Sequence, residues 1–288
     1  MIILSIVILI LVLSIILGGV QIERFGGHLA ENSHITNPYV TQGTPLTAMS
    51  SLMNSGSPHV VCGVNSAGQI WCSDNGDTSN PAWTQVNGWL SNISVNTDGS
   101  VFGVNGNGNI FYAANYKIPN WVGLPGILTQ ISSSPNVVCG VNSANQIWCA
   151  DTNIQSSPNW FQLPGGLTNI SVNNDGSLMG VSSNGQIWFA SNYKNANWVN
   201  LPGSLKQVSV NGPVACGVNA GNQIFCADQN ISANPNWTNI PGSLTDLSVN
   251  SDGSLYGVNS GGQIFYNPSY KSGNWVLLPG TLVQLNSK

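Results

Sequence analysis

The hydrophobic positions fall into two unlike patterns. Residues 2–20 form one unbroken apolar run, mostly Ile, Leu and Val, without a charge. From about residue 46 onward the apolar residues come in short groups, set apart by Gly, Asn, Asp and Pro. The first pattern predicts a helix of membrane length. Nineteen helical residues at about 1.5 Å each reach roughly 28 Å, near the hydrocarbon thickness of a bilayer. A cleaved secretory signal is the competing reading, but no Lys or Arg precedes the run, and the run is longer than a typical signal core. The expected organisation is therefore a transmembrane anchor (or signal peptide) over 1–20, a polar linker over 21–44, and a domain over 45–288. The only nearby base, Arg24, lies C-terminal to the run and leaves orientation open.

The short apolar groups repeat. Tryptophans at 83, 121, 160, 198, 237 and 275 are spaced by 38, 39, 38, 39 and 38 residues. Each opens a unit such as W-V-N-L-P-G-S-L-K-Q-V-S-V from Trp198, followed by G-V-N or G-V-S and then by N/Q-I-W/F. The last motif occurs six times, at Ile70, Ile110, Ile147, Ile187, Ile224 and Ile264. The two sets are offset: the first N/Q-I-W/F has no full Trp segment before it, and Trp275 has no N/Q-I-W/F after it. A closed ring resolves the offset, with the C-terminal segment 275–285 completing the blade begun by residues 60–72. Repeats of this length with about four short strands each predict an all-β, six-bladed propeller of four-stranded blades, preceded by one N-terminal transmembrane helix. Two segments, Leu46–Ser50 and Leu282–Leu285, compete for the innermost strand at the closure.

The pattern W-x-x-L-P-G-x-L-x-x-I-S-V, then G-V-N-x-x-G-x-I-F/W, resembles the tectonin repeat of tectonins, fish-egg lectins and the lipopolysaccharide-binding type of tachylectin. The resemblance covers about residues 46–286. It implies a six-bladed propeller that binds glycans, often on bacterial surfaces.

The cysteines add a second period. Cys62, Cys139 and Cys216 are 77 residues apart, as are Cys72, Cys149 and Cys226, so alternate blades share a subtype. Within each pair, a three-residue Gly-containing hairpin loop places Cys62 opposite Cys72 if Asn65 faces Gln69. Opposed residues on antiparallel strands lie within disulfide reach. In the other blades the matching pairs are Phe102 with Tyr112, Met179 with Phe189 and Tyr256 with Tyr266, so both cysteines are replaced together. This predicts disulfides Cys62–Cys72, Cys139–Cys149 and Cys216–Cys226 and an oxidising compartment. No histidine recurs with the cysteines, so no metal is expected. Four N-x-S/T sequons, at Asn92, Asn169, Asn230 and Asn236, are compatible with secretion.

Composition narrows the function. Charged residues are 6% of the chain, against about 25% in an average globular protein. A net charge of −4 offers no basic footprint for nucleic acid. Against this sparse background, Tyr116-Lys117, Tyr193-Lys194 and Tyr270-Lys271 recur at 77-residue spacing, on the face that also carries Asp98, Asp175 and Asp252 in Asp-Gly-Ser turns and Asp74, Asp151 and Asp228 after the cysteines. These Tyr and Lys residues are the candidate ligand contacts, as three equivalent saccharide sites. The bland alternatives are turn chemistry for the Asp-Gly pairs and Lys–Asp pairing between blades. The six repeat-opening tryptophans read mostly as packing between blades, as do Trp71, Trp148 and Trp188. Trp89 reads as exposed.

The expected function is a membrane-tethered, lectin-like surface protein that recognises bacterial or host cell-surface glycans multivalently, with the propeller on the extracellular, luminal or virion-envelope side. The alternative is secretion, or a non-catalytic scaffold docking a protein partner in the same membrane. No cofactor is expected. No carboxylate pair, triad or metal site stands out, so no enzyme is expected.

Overall fold

The computed structural model describes residues 59–74, 80–151 and 158–288. The expected transmembrane anchor, the linker and Leu46–Ser50 lie outside the described residues. Among the described residues no helix is long and apolar enough to cross a membrane.

Six four-stranded antiparallel sheets make up the domain. We number them as blades. Blade 2 shows the plan, from the inner strand outward: Asn92–Val95, Val101–Val104, Asn109–Ala113 and Val122–Ile127. Blade 3 begins at Gln130–Ser134, blade 4 at Asn169–Val172, blade 5 at Gln207–Asn211 and blade 6 at Asp246–Val249. Blade 1 is composite: Gln284–Ser287 is its inner strand, followed by Val61–Val64, Gln69–Ser73 and Thr84–Trp89. The chain end thus clasps the chain start, with Val61 opposite Ser287 and Val64 opposite Gln284.

This settles the closure and corrects one detail of the expected one. The C-terminal segment does not serve blade 1 as a whole. Val276–Thr281 is the outer strand of blade 6, and only Gln284–Ser287 crosses to blade 1. Leu282 plays the part that Leu90 plays for blade 2. A Cβ on Gly63 would meet its Cδ1 at 2.6 Å, as one on Gly103 would meet Leu90 Cδ1 at 2.3 Å. The glycine of each G-V-N motif is therefore the slot that seats the leucine of the preceding P-G-x-L segment.

The apolar core lies between blades. One cluster joins Cys62, Val64 and Ile70 of blade 1 to Ile93, Val95 and Val101 of blade 2. Five equivalent clusters follow around the ring. Second strands such as Val101–Val104 are buried along their whole length, as expected for strands covered by a neighbouring sheet on each face. The hairpin register follows the sequence reading: Cys62 faces Cys72, Gly63 faces Trp71 and Val64 faces Ile70. All three expected disulfides are formed, each with Cα atoms 4.1 Å apart. In two of the intervening blades an aromatic pair takes the place, with ring centroids 4.8 Å apart for Phe102–Tyr112 and 4.9 Å for Tyr256–Tyr266.

Polar side chains lace the inner strands around the axis. The Ile131 N–H donates to Asn92 Oδ1 of the preceding blade at 2.9 Å, and the Ile170 N–H to Gln130 Oε1 at 3.0 Å. A second tier uses hydroxyls, with Val172 N–H donating to Ser132 Oγ and Val210 N–H to Ser171 Oγ. The backbone donors that a fifth strand would have satisfied are thus met across blades.

Candidate functional site

Two faces present different chemistry. The first carries the aspartate turns. Asp98, Asp175 and Asp252 accept from the backbone N–H of Ser100, Ser177 and Ser254 at 2.8 to 2.9 Å. These carboxylates hold their own turns, which is ordinary Asx chemistry. His59 Nε2 additionally lies 2.9 Å from Asp252 Oδ2, tying the entry to blade 1 to a turn of blade 6. Burial opposes ionisation of Asp252, but His59 and the Ser254 donors outweigh it and hold its pKa down at about 2.

On the same face, each candidate lysine reaches back one blade. Lys117 Nζ is 2.5 Å from Asp74, Lys194 Nζ 3.4 Å from Asp151 and Lys271 Nζ 2.6 Å from Asp228. Each ammonium also sits 5.5 to 5.7 Å from the centroid of its own tyrosine. The hydrogen bond from Lys117 lowers the Asp74 carboxyl below its ordinary range, and Lys271 does the same to Asp228. The tyrosine rings turn inward. Tyr116 and Tyr270 are 6% and 7% exposed and pack on the turn glycines Gly99 and Gly253. Tyr193 is half-buried and donates to Asp151 Oδ1. The loops therefore bring together three Tyr–Lys–Asp clusters bridging blades 1–2, 3–4 and 5–6, with exposed ammoniums and covered rings.

The opposite face carries the Pro-Gly corners and clefts between blades. Gly126, Gly165 and Gly203 have φ of +106°, +99° and +104°, a region that side-chain-bearing residues rarely enter. The next blade's tryptophan lies against each corner: a Cβ on Gly203 would meet Trp237 at 3.2 Å. The indole N–H of Trp198, Trp237 and Trp275 donates to the corner carbonyl of Pro164, Pro202 and Pro241 at 2.7 to 2.8 Å. The repeat-opening tryptophans are thus packing elements between blades, as the sequence suggests.

Two of these seams open into cavities. Between blades 3 and 4, about 320 Å³ is lined by Ile147, Gly165, Leu167, Trp188 and Trp198, with Ser182, Ser183, Asn184 and Gln186 supplying polar groups. Between blades 2 and 3, about 280 Å³ is lined by Ile110, Gly126, Leu128, Trp148, Trp160 and Asn142. Trp148 and Trp188 are half-buried, one side in the core and the other in a cleft. The buried Trp160 Nε1 has no hydrogen-bond partner, unlike its counterpart Trp198. A third, more open groove of about 490 Å³ between blades 1 and 2 includes Trp89, which is 73% exposed. Sequence reading assigned Trp148 and Trp188 to the core and missed the clefts. The available signal was the substitution of Trp for Phe at that repeat position. Among the described residues, no group of three His, Cys, Asp or Glu side chains converges to hold a metal ion.

Fold and clefts together define a disulfide-braced propeller with several pockets arranged around one axis. The tectonin domain profile matches residues 29–119, 83–196 and 159–288. The chain belongs to the tectonin domain family. Among solved structures it is similar to a chain of a nidogen/laminin complex, at 13% identity and a TM-score of 0.63, covering 80% of this chain and 97% of that one. It is also similar to a chain in the structure of Kap60 bound to yeast RCC1 (Prp20), at 7% identity and a TM-score of 0.51, covering 73% of this chain and 68% of that one. At such identities the likeness is one of fold. No curated protein matches the chain.

Proposed function

We propose that this is a non-catalytic, carbohydrate-binding propeller, held outside the cytosol by the apolar segment 2–20. The observation that carries the proposal is the pair of neighbouring clefts that set indole faces beside amide side chains, one of them with serine hydroxyls as well. A pyranose ring offers an apolar C–H face and a rim of hydroxyls. Trp188 and Trp198 supply an apolar wall, and Ser182, Asn184 and Gln186 line the same cavity with donors and acceptors. The cavity volumes of about 280 and 320 Å³ lie at the small end of ligand pockets, the size suited to one sugar unit. Sites repeated on one face make weak single contacts add up on a multivalent surface. The resemblance to tectonin-repeat lectins points the same way, and three disulfides suit an extracellular or secreted setting. The exposed lysines of the other face remain a second set of candidate contacts.

The test is a glycan array with the full chain and two variants. Trp148→Phe/Trp188→Phe places at both clefts the residue that blades 2, 5 and 6 carry as Phe111, Phe225 and Phe265, so folding is preserved. Lys117→Ala/Lys194→Ala/Lys271→Ala probes the opposite face. Binding lost in the tryptophan variant supports the cleft site, and binding lost only in the lysine variant moves the site to the Tyr–Lys face. A blank array from the folded wild type refutes the lectin reading and favours a scaffold that docks a protein.

A further inference from the structure

The two faces differ in charge as well as in shape. Among the described residues, the aspartate-turn face holds Asp98, Asp175 and Asp252 in their turns, the three Lys–Asp pairs, and His59. Lys288 belongs to the same end of blade 1, where its backbone pairs with Val60. That leaves Lys206 and Asp246 for the corner half. Lys206 follows the corner after blade 4 and donates to Asn222 Oδ1. Asp246 lines the central channel and accepts the Leu285 N–H at 3.0 Å. Neither lines any of the three clefts at seams 1–2, 2–3 and 3–4, and no other ionisable side chain does.

An anion can also be held without a cation, by a nest of free backbone N–H groups. The hairpin loops at these seams spend theirs internally. Asn65 Oδ1 accepts the N–H of Ala67 and Gln69, and Asn105 Oδ1 those of Asn107 and Asn109. Asn142 Oδ1 accepts from Ala144 and Gln146 in the same way. What the clefts offer a ligand is therefore indole, aliphatic, amide and hydroxyl surface. The groove between blades 1 and 2 shares this chemistry, with Trp89 73% exposed beside Ser66, Ser91 and Asn107. A carboxylate or phosphate drawn into such a lining loses water and gains no counter-charge. Neutral hydroxyls lose nothing of that kind, and an apolar sugar face covers the rings.

We propose that the three clefts of the corner face select uncharged glycans and reject those bearing uronate, sialate or phosphate groups. This selection rests on the carbohydrate reading above and narrows it to one ligand class. The experiment is titration calorimetry of the full chain in detergent with matched oligosaccharides, neutral hexose chains against the same chains carrying a uronic acid or a phosphate. The neutral member should bind about tenfold or more tightly. Its affinity should stay constant between low salt and about 1 M salt, where the Debye length shrinks to about 3 Å. Ser183 is exposed at the cleft between blades 3 and 4. Ser183→Lys supplies the missing cation and should narrow the preference about threefold. A preference for the anionic member, or neutral binding that collapses with salt, overturns the selection and leaves the carbohydrate reading standing. An unchanged ratio in Ser183→Lys overturns it too, because the uncharged lining would not be its cause. If no member of either series binds the folded chain, the carbohydrate reading itself is refuted, and the selection falls with it.

Discussion

Removing one disulfide gives a quantitative test of how the blades are braced. The perturbation is Cys139→Ala/Cys149→Ala in blade 3, where both sulfurs are fully buried. The sequence separation of 10 closes a short loop. The loop-entropy relation then gives about 2.7 kcal/mol of stabilisation, by restricting the unfolded chain. For a domain of this size each kcal/mol shifts Tm by about 2–4 °C, so the variant should melt roughly 5–11 °C lower. Lost sulfur packing adds to the deficit. Urea unfolding of the disulfide-bonded chain and of the variant checks the mechanism, since a denatured state freed of the cross-link exposes more surface and raises m. Carried to all three bridges, unfolding with reductant present should lose about 8 kcal/mol. A loss below about 1 kcal/mol for the blade 3 pair refutes the reasoning. It would mean that the hairpin is already held in the unfolded chain, or that the cross-strand site is worth as much without a bond.

Other perturbations probe separate links. The Asp252 carboxyl, with a pKa near 2 in the folded ring, contributes stability that is complete above its unfolded value near 4. That stability drains as pH falls toward 2, so acid unfolding of Asp252→Asn should show a shallower slope over this window. Gly203→Ala, at φ +104° and facing Trp237 at 3.2 Å, should cost about 1–3 kcal/mol by chemical denaturation. An unchanged midpoint would show that the corner can rotate. Of the four sequons, Asn92 and Asn169 spend their side-chain oxygens on the channel ring, whereas Asn230 and Asn236 are exposed in the loop before the outer strand of blade 5. Expression through a eukaryotic secretory pathway with glycopeptide mapping should find glycans at Asn230 or Asn236 and none at Asn92 or Asn169.

Much of the architecture was legible because the repeat fixes it many times over. Cys62 facing Cys72 follows from loop length and period, and Phe102–Tyr112 and Tyr256–Tyr266 obey the same register. Closure was not legible, because Leu46–Ser50 and the segment from Leu282 carry similar local patterns. The pairing of Gln284–Ser287 with Val61–Val64 decides it, with Leu282 filling the slot over Gly63. The clefts were hidden for a related reason. Trp160 and Gly126 meet across a seam, and each has a sufficient local reason to be what it is. The Tyr–Lys pairs were legible as a cluster and as partners of the preceding blade's aspartates, but not in their burial. A side chain's outlook depends on the turn beneath it, here Gly99 or Gly253.

In a ring built from near-identical units, a residue shared by all six blades is explained by the shared packing, as the corner glycines and opening tryptophans are. Ligand chemistry has to be sought where the units differ. Trp71, Trp148 and Trp188 stand where blades 2, 5 and 6 carry phenylalanine, and the last two line open clefts. Trp89 replaces the leucine-spacing residue after its corner and stands in solvent. Asp246 stands where blades 2 and 4 carry Asn92 and Asn169. The indoles of Trp89, Trp148 and Trp188 leave apolar surface that the fold alone does not cover. Apolar surface of this kind gains from being buried, and it marks the places in this propeller where a partner of matching chemistry has most to gain.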